Sequence, residues 1–420
     1  MLTFPKMIIL MTRKSVKSIQ NILNEAEIYL SDLLNKDLKS VSNSAYTQAR
    51  SKLKYEAFIE LSGDIRDQFY KDDEYIKYKG FRLLGVDGSI ITLPNNKEIQ
   101  KEFGTTKVVT QYKDKNKEIV QARVSLLYDL LNNIILDAVI TSKKRHEIKI
   151  VKDEHLKYFK EGDLIIFDRG YPSYEMFATI PTKCKADYLI RTRKDIYKKQ
   201  LAPLLDESSP INDMIITLKP QTKAIKSLCL NNELPLEIKV RFVKVVLDNG
   251  EIEILATSVL DNKLLKTSDF EELYFQRWKI ETCYEIIKNR LSLENFTGTT
   301  TLSIKQDFYA TIFVSNIEAI VTYDLNEELK DKKNKTEQKY QQKVNKSISF
   351  NTIKNYSFKL FYLKDDSDID KVLNEIYKLL RMNKVLIRPN RHYPRDINKN
   401  QTKNAIKSSN FQKRKKKIVF

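Results

Sequence analysis

Apolar residues at three- and four-residue steps predict helices in the first 78 residues. SVKSIQNILNEAEIYLSDLL has this spacing, and SNSAYTQARSKLKYEAFIELSGDIRDQFY repeats it after a Ser/Asn start signal, so two or three short helices are expected. Arg50, Lys52 and Lys54 cluster with Gln48 in the first turns of the second stretch. Such a basic helical unit suits contacts with a DNA backbone and groove, although a solvated helix face explains the cluster equally well.

Strand-like apolar runs replace the helical spacing from about residue 80. FRLLGVDGSIITLP predicts one strand, and QARVSLLYDLLNNIILDAVITS predicts two strands that join at Asn132 and Asn133. A helical stretch (RHEIKIVKDEHLKYF), a strand (GDLIIF), a helix (YEMFATI) and a further strand (ADYLIRTR) follow. The resulting order, β-β-β-α-β-α-β, predicts an α/β fold with a mixed sheet covered by helices.

The alternation of strands and helices stops after residue 195. LEIKVRFVKVVLDNGEIEILATSVL has the pattern of a long hairpin with an Asp-Asn-Gly turn at 248–250, which predicts an inserted β-rich module at 196–265. Helical spacing returns in YFQRWKIETCYEIIKNR and DFYATIFVSNIEAIVTYDL, and IDKVLNEIYKLLRM is the last predicted helix. The polar, lysine-rich residues 329–346 predict a loop.

Charge and composition narrow the classes of function. The 420 residues carry a net charge of +19, which favours a polyanionic partner such as nucleic acid, although an AT-rich coding sequence also raises the lysine content. The tail 381–420 has 13 Lys/Arg residues against one acid, a composition that usually stays disordered and often binds nucleic acid. No apolar run is long enough to span a membrane.

The scarcity of cysteine and histidine limits the available chemistry. Three distant cysteines form neither a zinc motif nor a disulfide framework, and only three histidines occur. We therefore expect a cytoplasmic protein without membrane association, whose chemistry uses carboxylates, lysines and arginines.

The stretch 274–290 predicts an amphipathic helix with an unusual polar side. At roughly 100° per residue, four polar side chains fall within about 60° of one another: Tyr274, Arg277, Glu281 and Lys288. The far side carries the apolar residues expected of a core helix: Ile280, Cys283, Ile287 and Leu291. A solvated surface helix would produce a polar row of this kind by chance.

Three acids are candidates for a metal site. Asp87 lies inside the apolar run of the first strand, Asp168 ends the fourth strand, and Glu281 lies on the polar side of the later helix. Carboxylates in such places are costly unless they are paired, protonated or bound to a cation, and Mg²⁺ prefers carboxylate oxygens. Each acid also has a simpler explanation: a turn cap for Asp87, a turn residue or arginine partner for Asp168, and an i,i+4 pair with Arg277 for Glu281. Their order along these elements matches the ribonuclease H arrangement.

Taken together, these stretches resemble bacterial insertion-sequence transposases of the DDE type, in the IS-four family. GVDGSIITLP…FGTT matches the region of the first Asp, and FDRGYPSYEMF matches that of the second. YFQRWKIETCYEIIKNR meets the family signature Tyr-x2-Arg-x3-Glu-x6-Lys in full. The inserted β-module is also a family trait, and the similarity spans roughly residues 40–300.

The resemblance implies metal-dependent phosphoryl transfer at transposon ends. Asp87, Asp168 and Glu281 would hold two Mg²⁺ or Mn²⁺ ions, one activating the nucleophile and the other stabilising the leaving oxygen. Three side chains of the helix that carries this signature (the signature helix, 274–290) would contact phosphates of the double-stranded DNA. They are the phenol of Tyr274 and the basic groups of Arg277 and Lys288. In relatives that cut through a hairpin, an aromatic residue stacks on a flipped base, and Trp278 is the candidate here, with packing against the sheet as the alternative.

The resemblance also implies binding of terminal inverted repeats and target DNA, and a homodimer in a synaptic complex. Two alternatives remain open: a catalytically silent, domesticated DNA-binding derivative, and a ribonuclease H-like nuclease without strand transfer. The bacterial protein would be associated with the nucleoid. The expected fold is a ribonuclease H-like mixed sheet with flanking helices, an inserted β-rich subdomain and helical terminal regions. The predicted units are 1–78 (helical, DNA-binding), 79–195 and 266–325 (two parts of the catalytic domain), 196–265 (inserted β-rich subdomain), 326–380 (helical C-terminal region) and 381–420 (basic tail).

Overall fold

The computed structural model describes residues 2–15, 17–108, 117–193, 195–206, 208–247, 250–335, 339–363 and 365–388. Within these ranges the helices are α1 (Phe4–Thr12), α2 (Ile19–Leu34), α3 (Asn43–Arg50), α4 (Glu56–Tyr70), α5 (Lys97–Phe103), α6 (Glu147–Ile150), α7 (Tyr174–Cys184), α8 (Ala202–Leu205), α9 (Lys223–Asn231), α10 (Phe270–Phe275), α11 (Trp278–Glu285), α12 (Thr301–Val321), α13 (Tyr323–Lys335), α14 (Lys346–Tyr362) and α15 (Asp366–Met382). The strands are β1 (Arg82–Leu93), β2 (Thr105–Val108), β3 (Lys117–Asp129), β4 (Ile135–Ser142), β5 (Asp163–Phe167), β6 (Asp187–Thr192), β7 (Asp213–Leu218), β8 (Ile238–Val246), β9 (Ile252–Thr257), β10 (Gln341–Val344) and β11 (Lys384–Ile387). No helix in the described residues is both long and apolar enough to cross a membrane.

Five strands form a ribonuclease H-like core in the order β4-β3-β1-β5-β6. β1, β3 and β4 make an antiparallel meander, and Asn133 takes a positive φ of 61° in the turn before β4. β5 then runs parallel to β1, and β6 runs parallel to β5, with a helical connection before each. The predicted element order and fold class are therefore confirmed, and the short strand β2, which was not predicted, pairs with β3.

The region 196–265 forms the expected hairpin but no separate sheet. β9 pairs antiparallel with β6, β8 pairs with β9, and β7 pairs with β8, so these strands extend the core sheet. In the hairpin turn, residues 248 and 249 lie outside the described residues, and Gly250 takes a positive φ of 79°. Because the sheet is continuous here, the boundaries of an inserted subdomain remain a prediction.

Alternation along β1 separates two apolar layers. Leu83 and Ile91 pack in one layer with residues of α10, α11 and α12, whereas Leu84 and Val86 pack in the other layer with residues of α7. Because side chains alternate in a strand, odd-numbered residues of β1 point towards α11. We call this side of the sheet the α11 face, and Asp87 belongs to it.

The N-terminal residues form four helices rather than the two or three predicted. The second predicted stretch is divided, because α3 ends at Arg50 and α4 begins at Glu56. Met7, Phe58, Phe313 and Phe358 share one apolar cluster, which joins α1 and α4 to α12 and α14. The N-terminal region thus packs directly on the C-terminal helices.

The predicted polar loop at 329–346 is wrong for most of its length. α13 continues to Lys335, and β10 pairs antiparallel with β11. Leu325 and Leu329 are buried in a small cluster with residues of α15, whereas the rest of α13 is polar. Two buried leucines in a lysine-rich segment are too few for the periodicity to stand out. The basic tail lies outside the described residues from 389 onwards.

Candidate catalytic site

Asp87 lies in the middle of β1, on the α11 face. The backbone N–H of Gly88 donates a hydrogen bond of 2.8 Å to Asp87 Oδ1. A Cβ atom on Gly88 would lie 2.7 Å from Glu147 Oε1, so a larger residue there would displace the Glu147 side chain. The pKa of Asp87 is raised to about 7, chiefly by burial and also by the negative charges of Asp168 and Glu281, against the opposing effects of the Gly88 N–H and Arg277.

Asp168 follows the last residue of β5, the strand beside β1. Gly85 of β1 is paired with Ile166 of β5, and the same register continued by two residues brings Asp168 beside Asp87. Asp168 Oδ1 accepts a hydrogen bond of 2.7 Å from the N–H of Gly170, which closes a tight turn. The two aspartates therefore lie at neighbouring positions on the α11 face.

The predicted helix over 274–290 is present, but a tight turn interrupts its regular hydrogen bonding. Gln276 and Arg277 keep right-handed helical dihedral angles, and the Arg277 N–H donates to the carbonyl of Tyr274, three residues earlier. α10 ends at Phe275, a turn intervenes at 276–277, and α11 is followed by a π-helical turn at Ile286–Arg290. The apolar side is confirmed by the burial of four residues: Ile280, Cys283, Ile287 and Leu291. The interruption places Tyr274 largely inside the apolar layer, away from the exposed side of α11.

Arg277 lies between the acids and two aromatic rings. Its Nη2 atom donates a hydrogen bond of 2.9 Å to Glu281 Oε1. The guanidinium carbon is 5.7 Å from the centroid of the Tyr274 ring and 5.2 Å from that of Trp278. Within the described part of the chain, Arg277 Nε and the Tyr274 hydroxyl are buried without a hydrogen-bond partner. Buried polar atoms are rarely left unsatisfied, so these two mark a place where a polar ligand would be stabilised.

Two side chains hydrogen-bond α11 and the π-helical turn that follows it to β1. Lys288 Nζ donates hydrogen bonds to Ser89 Oγ at 2.6 Å and to the Ile90 carbonyl at 2.9 Å. The Tyr284 hydroxyl donates to the carbonyl oxygen of Asp87 at 2.8 Å. Tyr284 was not among the predicted site residues, although its position three residues after Glu281, on the side that faces the sheet, is visible in the sequence.

A further charged pair continues the site along the sheet. Arg191 of β6 lies 2.8 Å from Glu253 of β9, and Glu253 is buried. Burial raises the pKa of Glu253, whereas the charges of Arg191 and Arg277 lower it. Burial likewise raises the pKa of Tyr274 to about 12, so that its hydroxyl remains a neutral hydrogen-bond donor at neutral pH. Sequence reasoning missed this pair: each charged residue is visible in an otherwise apolar strand, but the pairing of β6 with β9 that joins them is not.

The three acids have the oxygen ligands that a divalent cation prefers, but their side chains do not surround a common point. Hard carboxylate oxygens are the ligands that Mg²⁺ and Mn²⁺ prefer, and a cation would favour the ionised form of Asp87, whose pKa is raised by burial and by the charges of Asp168 and Glu281. Among the described residues, however, no three His, Cys, Asp or Glu side chains are grouped closely enough to hold a metal ion. The Glu281 carboxylate instead accepts a hydrogen bond from Arg277.

The predicted DNA contacts outside the signature helix differ in exposure. Lys52 and Lys54 are exposed in the turn between α3 and α4. Arg50 is a correction: it is buried, and its guanidinium donates to Gln306, Thr297, the Ser303 carbonyl and Asp307. With its donors used inside the protein, Arg50 holds α3 against α12 and is not available to DNA.

The candidate stacking residue is exposed. Trp278 has 37% of its surface accessible at the start of α11, so part of its ring is open to solvent. Phe275, on the other side of the turn, is 61% exposed. The interruption of the helix therefore presents two aromatic rings at the edge of the site.

Comparisons with known proteins place the site within a matched region. The family model described as a transposase DDE domain matches residues 79–317, which is more than half of the chain and includes all three acids. The comparison with curated proteins gave no match. Among solved structures, a cryo-EM structure of the piggyBac transposase synaptic complex with hairpin DNA has a TM-score of 0.43 and 11% identity, and the alignment covers 90% of this chain and 75% of that chain.

Proposed function

Because the chain belongs to the transposase DDE domain family and is a metal-dependent DNA transposase, we propose that Asp87, Asp168 and Glu281 are its catalytic acids. The observation that carries this proposal is the convergence of three acids from three elements. Asp87 on β1 and Asp168 directly after β5 lie at neighbouring positions, and α11 brings Glu281 and Arg277 close enough to shift the pKa of Asp87.

The three carboxylates would hold Mg²⁺ or Mn²⁺, with two ions expected. When bound, the metal ions would activate the attacking oxygen and stabilise the leaving oxygen of an in-line displacement at phosphorus. Asp87 would have to lose its proton to serve as a ligand, and the nearby Arg277 favours that ionised form. Tyr284 would hold the backbone of Asp87 in place through its hydrogen bond to the Asp87 carbonyl.

Three side chains of the signature would bind the transposon end. Arg277 has an unsatisfied Nε atom and Tyr274 an unsatisfied hydroxyl, and both would donate to phosphate oxygens. Lys288 would add a positive charge near the bound backbone, since it lies against β1 two residues from Asp87. Trp278 is exposed and would stack on an unpaired base, as in relatives that cut through a hairpin.

The signature also supports a finer assignment. We infer membership of the bacterial IS-four family from Tyr274, Arg277, Glu281 and Lys288 at the family spacing. The activity would then be cut-and-paste transposition: recognition of terminal inverted repeats, hydrolytic cleavage and strand transfer into target DNA by a homodimer. Lys52 and Lys54 would contribute to DNA binding from the exposed turn after α3. Terminal inverted repeats bordered by short direct repeats in the flanking DNA would support this assignment at once.

The test is an assay of the full chain on DNA that carries its own terminal repeats, with Mg²⁺ and with EDTA. We expect Mg²⁺-dependent cleavage and joined strands on a gel, and the loss of both with EDTA. Asp168→Asn should abolish both products, whereas Asp195→Asn, which changes an exposed acid elsewhere, should not. Cleavage without joined strands would identify a nuclease, and binding without cleavage would identify a silent derivative.

A further inference from the structure

A basic groove begins where the signature helix ends. Its volume is about 510 Å³, and it is lined by residues of three separate parts of the chain: the segment from Arg13 into α2, the π-helical turn with the residues that follow it, and α14. Arg13, Arg290 and Lys354 line it, one from each part. Arg290 is exposed and lies only two residues beyond Lys288, whose Nζ atom contacts β1 beside Asp87. One side of the groove is therefore formed by residues that directly follow those of the catalytic site in the sequence.

The cations of the groove are held by carbonyl groups rather than by carboxylates. Arg13 Nη1 donates to the Lys354 carbonyl at 2.5 Å, and Lys354 Nζ donates to the Lys14 carbonyl at 2.8 Å. The buried Lys14 donates to the Leu293 carbonyl at 3.0 Å. Among the described residues, none of Arg13, Lys14, Lys354 and Arg290 has a carboxylate oxygen within 4.0 Å.

The single acid of the groove does not neutralise this charge. Glu25 lies 2.5 Å from Lys17, another groove residue, and its charge also opposes the burial that lowers the pKa of Arg13. This one carboxylate is opposed by the five Lys and Arg residues that line the groove. The pKa of Lys354 is lowered to about 8, chiefly by burial and also by the positive charges of Lys14 and Arg13. Assembling like charges in a partly buried place is unfavourable unless a counter-ion binds there. The N-terminal turn of α14, with its partial positive charge, also lines the groove at Ser347 and Ile348.

We propose that this groove binds backbone phosphates of the DNA whose end lies at the catalytic site. The proposal rests on the function proposed above, because that function places a DNA end beside Lys288. Arg290 and Lys354 would each contact a phosphate, and Arg13 would orient Lys354 through its bond to the Lys354 carbonyl. The groove joins the N-terminal region, the signature helix and α14, so bound DNA would contact all three.

The test measures how the affinity of the full chain for duplex DNA bearing its own terminal repeats changes with salt, in Ca²⁺ so that the DNA is not cut. On B-DNA each phosphate contact contributes about 0.9 to the slope of log affinity against log salt. For Arg290→Gln with Lys354→Gln we expect the slope to become smaller by about 1.8, which corresponds to two lost contacts. Glutamine retains a donor for the Lys14 carbonyl, and a thermal unfolding midpoint equal to that of the wild type would show that the fold is kept.

The matched control is Lys223→Gln with Lys226→Gln, which removes the same charge. Both lysines are exposed on α9, and Ile225 and Leu228 of this helix pack on the layer opposite the α11 face. A wild-type slope for the groove variant, or an equal decrease for the control, would overturn the proposal. Failure of the proposed function would show separately, as a lack of Mg²⁺-dependent cleavage by the wild type.

Discussion

Two arginine–carboxylate pairs in this protein have similar geometry and opposite surroundings. Arg50 Nη2 lies 2.8 Å from Asp307, and the two side chains are 5% and 2% exposed. Arg277 Nη2 lies 2.9 Å from Glu281, and those side chains are 11% and 36% exposed. The first guanidinium has partners for each of its nitrogens, whereas the second has an unsatisfied Nε atom. A complete hydrogen-bond set indicates a structural role, and an incomplete one beside other acids indicates a place for a ligand.

Because of this difference, substitution of Arg50 should mainly lower the stability of the protein, whereas substitution of Arg277 should mainly lower its activity. When one partner of a buried pair is removed, the other charge stays buried without compensation. When one partner of a partly exposed pair is removed, water stabilises the remaining charge. The four predictions that follow, from the largest expected effect to the smallest, test that separation.

Arg50→Ala should lower the free energy of unfolding by about 3–5 kcal/mol, because it leaves Asp307 buried without its guanidinium. Urea denaturation followed by circular dichroism measures this. Lys52→Ala, two residues away and exposed, should change stability by less than about 0.5 kcal/mol. Equal effects of the two substitutions would refute the structural role of Arg50.

Asp87 should make the metal-free protein less stable as the pH rises. Burial raises the folded-state pKa of Asp87 to about 7, above the ordinary value of 3.8 expected in the unfolded chain. Between these two values the folded state binds more protons, so the free energy of unfolding should fall with increasing pH, by at most roughly 4 kcal/mol in total. Asp87→Asn should remove this fall in urea denaturation with EDTA at pH 5 and pH 8. Parallel pH curves for the variant and the wild type would contradict the prediction.

Arg277→Ala should reduce the rate of DNA cleavage by roughly 10- to 100-fold, the value of one charge-assisted hydrogen bond to a phosphate. Its effect on the free energy of unfolding should be less than half that of Arg50→Ala, because Glu281 is partly exposed and remains hydrated. Single-turnover cleavage and urea denaturation of both variants test this. A larger decrease in the free energy of unfolding for Arg277→Ala than for Arg50→Ala would contradict this prediction.

Tyr284→Phe should cost about 1 kcal/mol of stability, the net value of one hydrogen bond. The change should also slow cleavage several-fold, since the lost bond holds the backbone at Asp87. Tyr174→Phe is the matched control, because its hydroxyl donates to the Pro235 carbonyl at 3.0 Å in the opposite apolar layer. The control should show a similar loss of stability with unchanged cleavage; slower cleavage in both variants would indicate a general structural effect.

The sequence was most informative where local pattern and tertiary structure agree. Alternation and turn residues predicted β1, β3 and β4, and the apolar run before Asp168 predicted β5. Each of these strands buries a continuous apolar face in the folded chain, so the periodicity of apolar residues in the sequence identifies it. The neighbouring positions of Asp87 and Asp168 followed from that strand order.

Features that depend on distant partners were not predictable from one sequence. Arg50 has a basic, surface-like sequence context, and its partner Asp307 lies 257 residues away. The interruption of the helix at 276–277 has no Pro or Gly to announce it. The Arg191–Glu253 pair requires β9 to lie against β6, a strand pairing that local pattern does not specify.

The most direct test of the catalytic assignment compares two glutamates on one helix. Glu281 lies close enough to Asp87 to add to the effect of burial on its pKa, whereas Glu285, one turn later on α11, is exposed. Single-turnover cleavage of DNA bearing the terminal repeats should be slower by at least about 10³-fold in Glu281→Gln, because a metal ligand supplies several kcal/mol of transition-state stabilisation. End binding by this variant should stay within a few-fold of the wild type, and Glu285→Gln should cleave normally. Wild-type cleavage by Glu281→Gln would contradict the assignment.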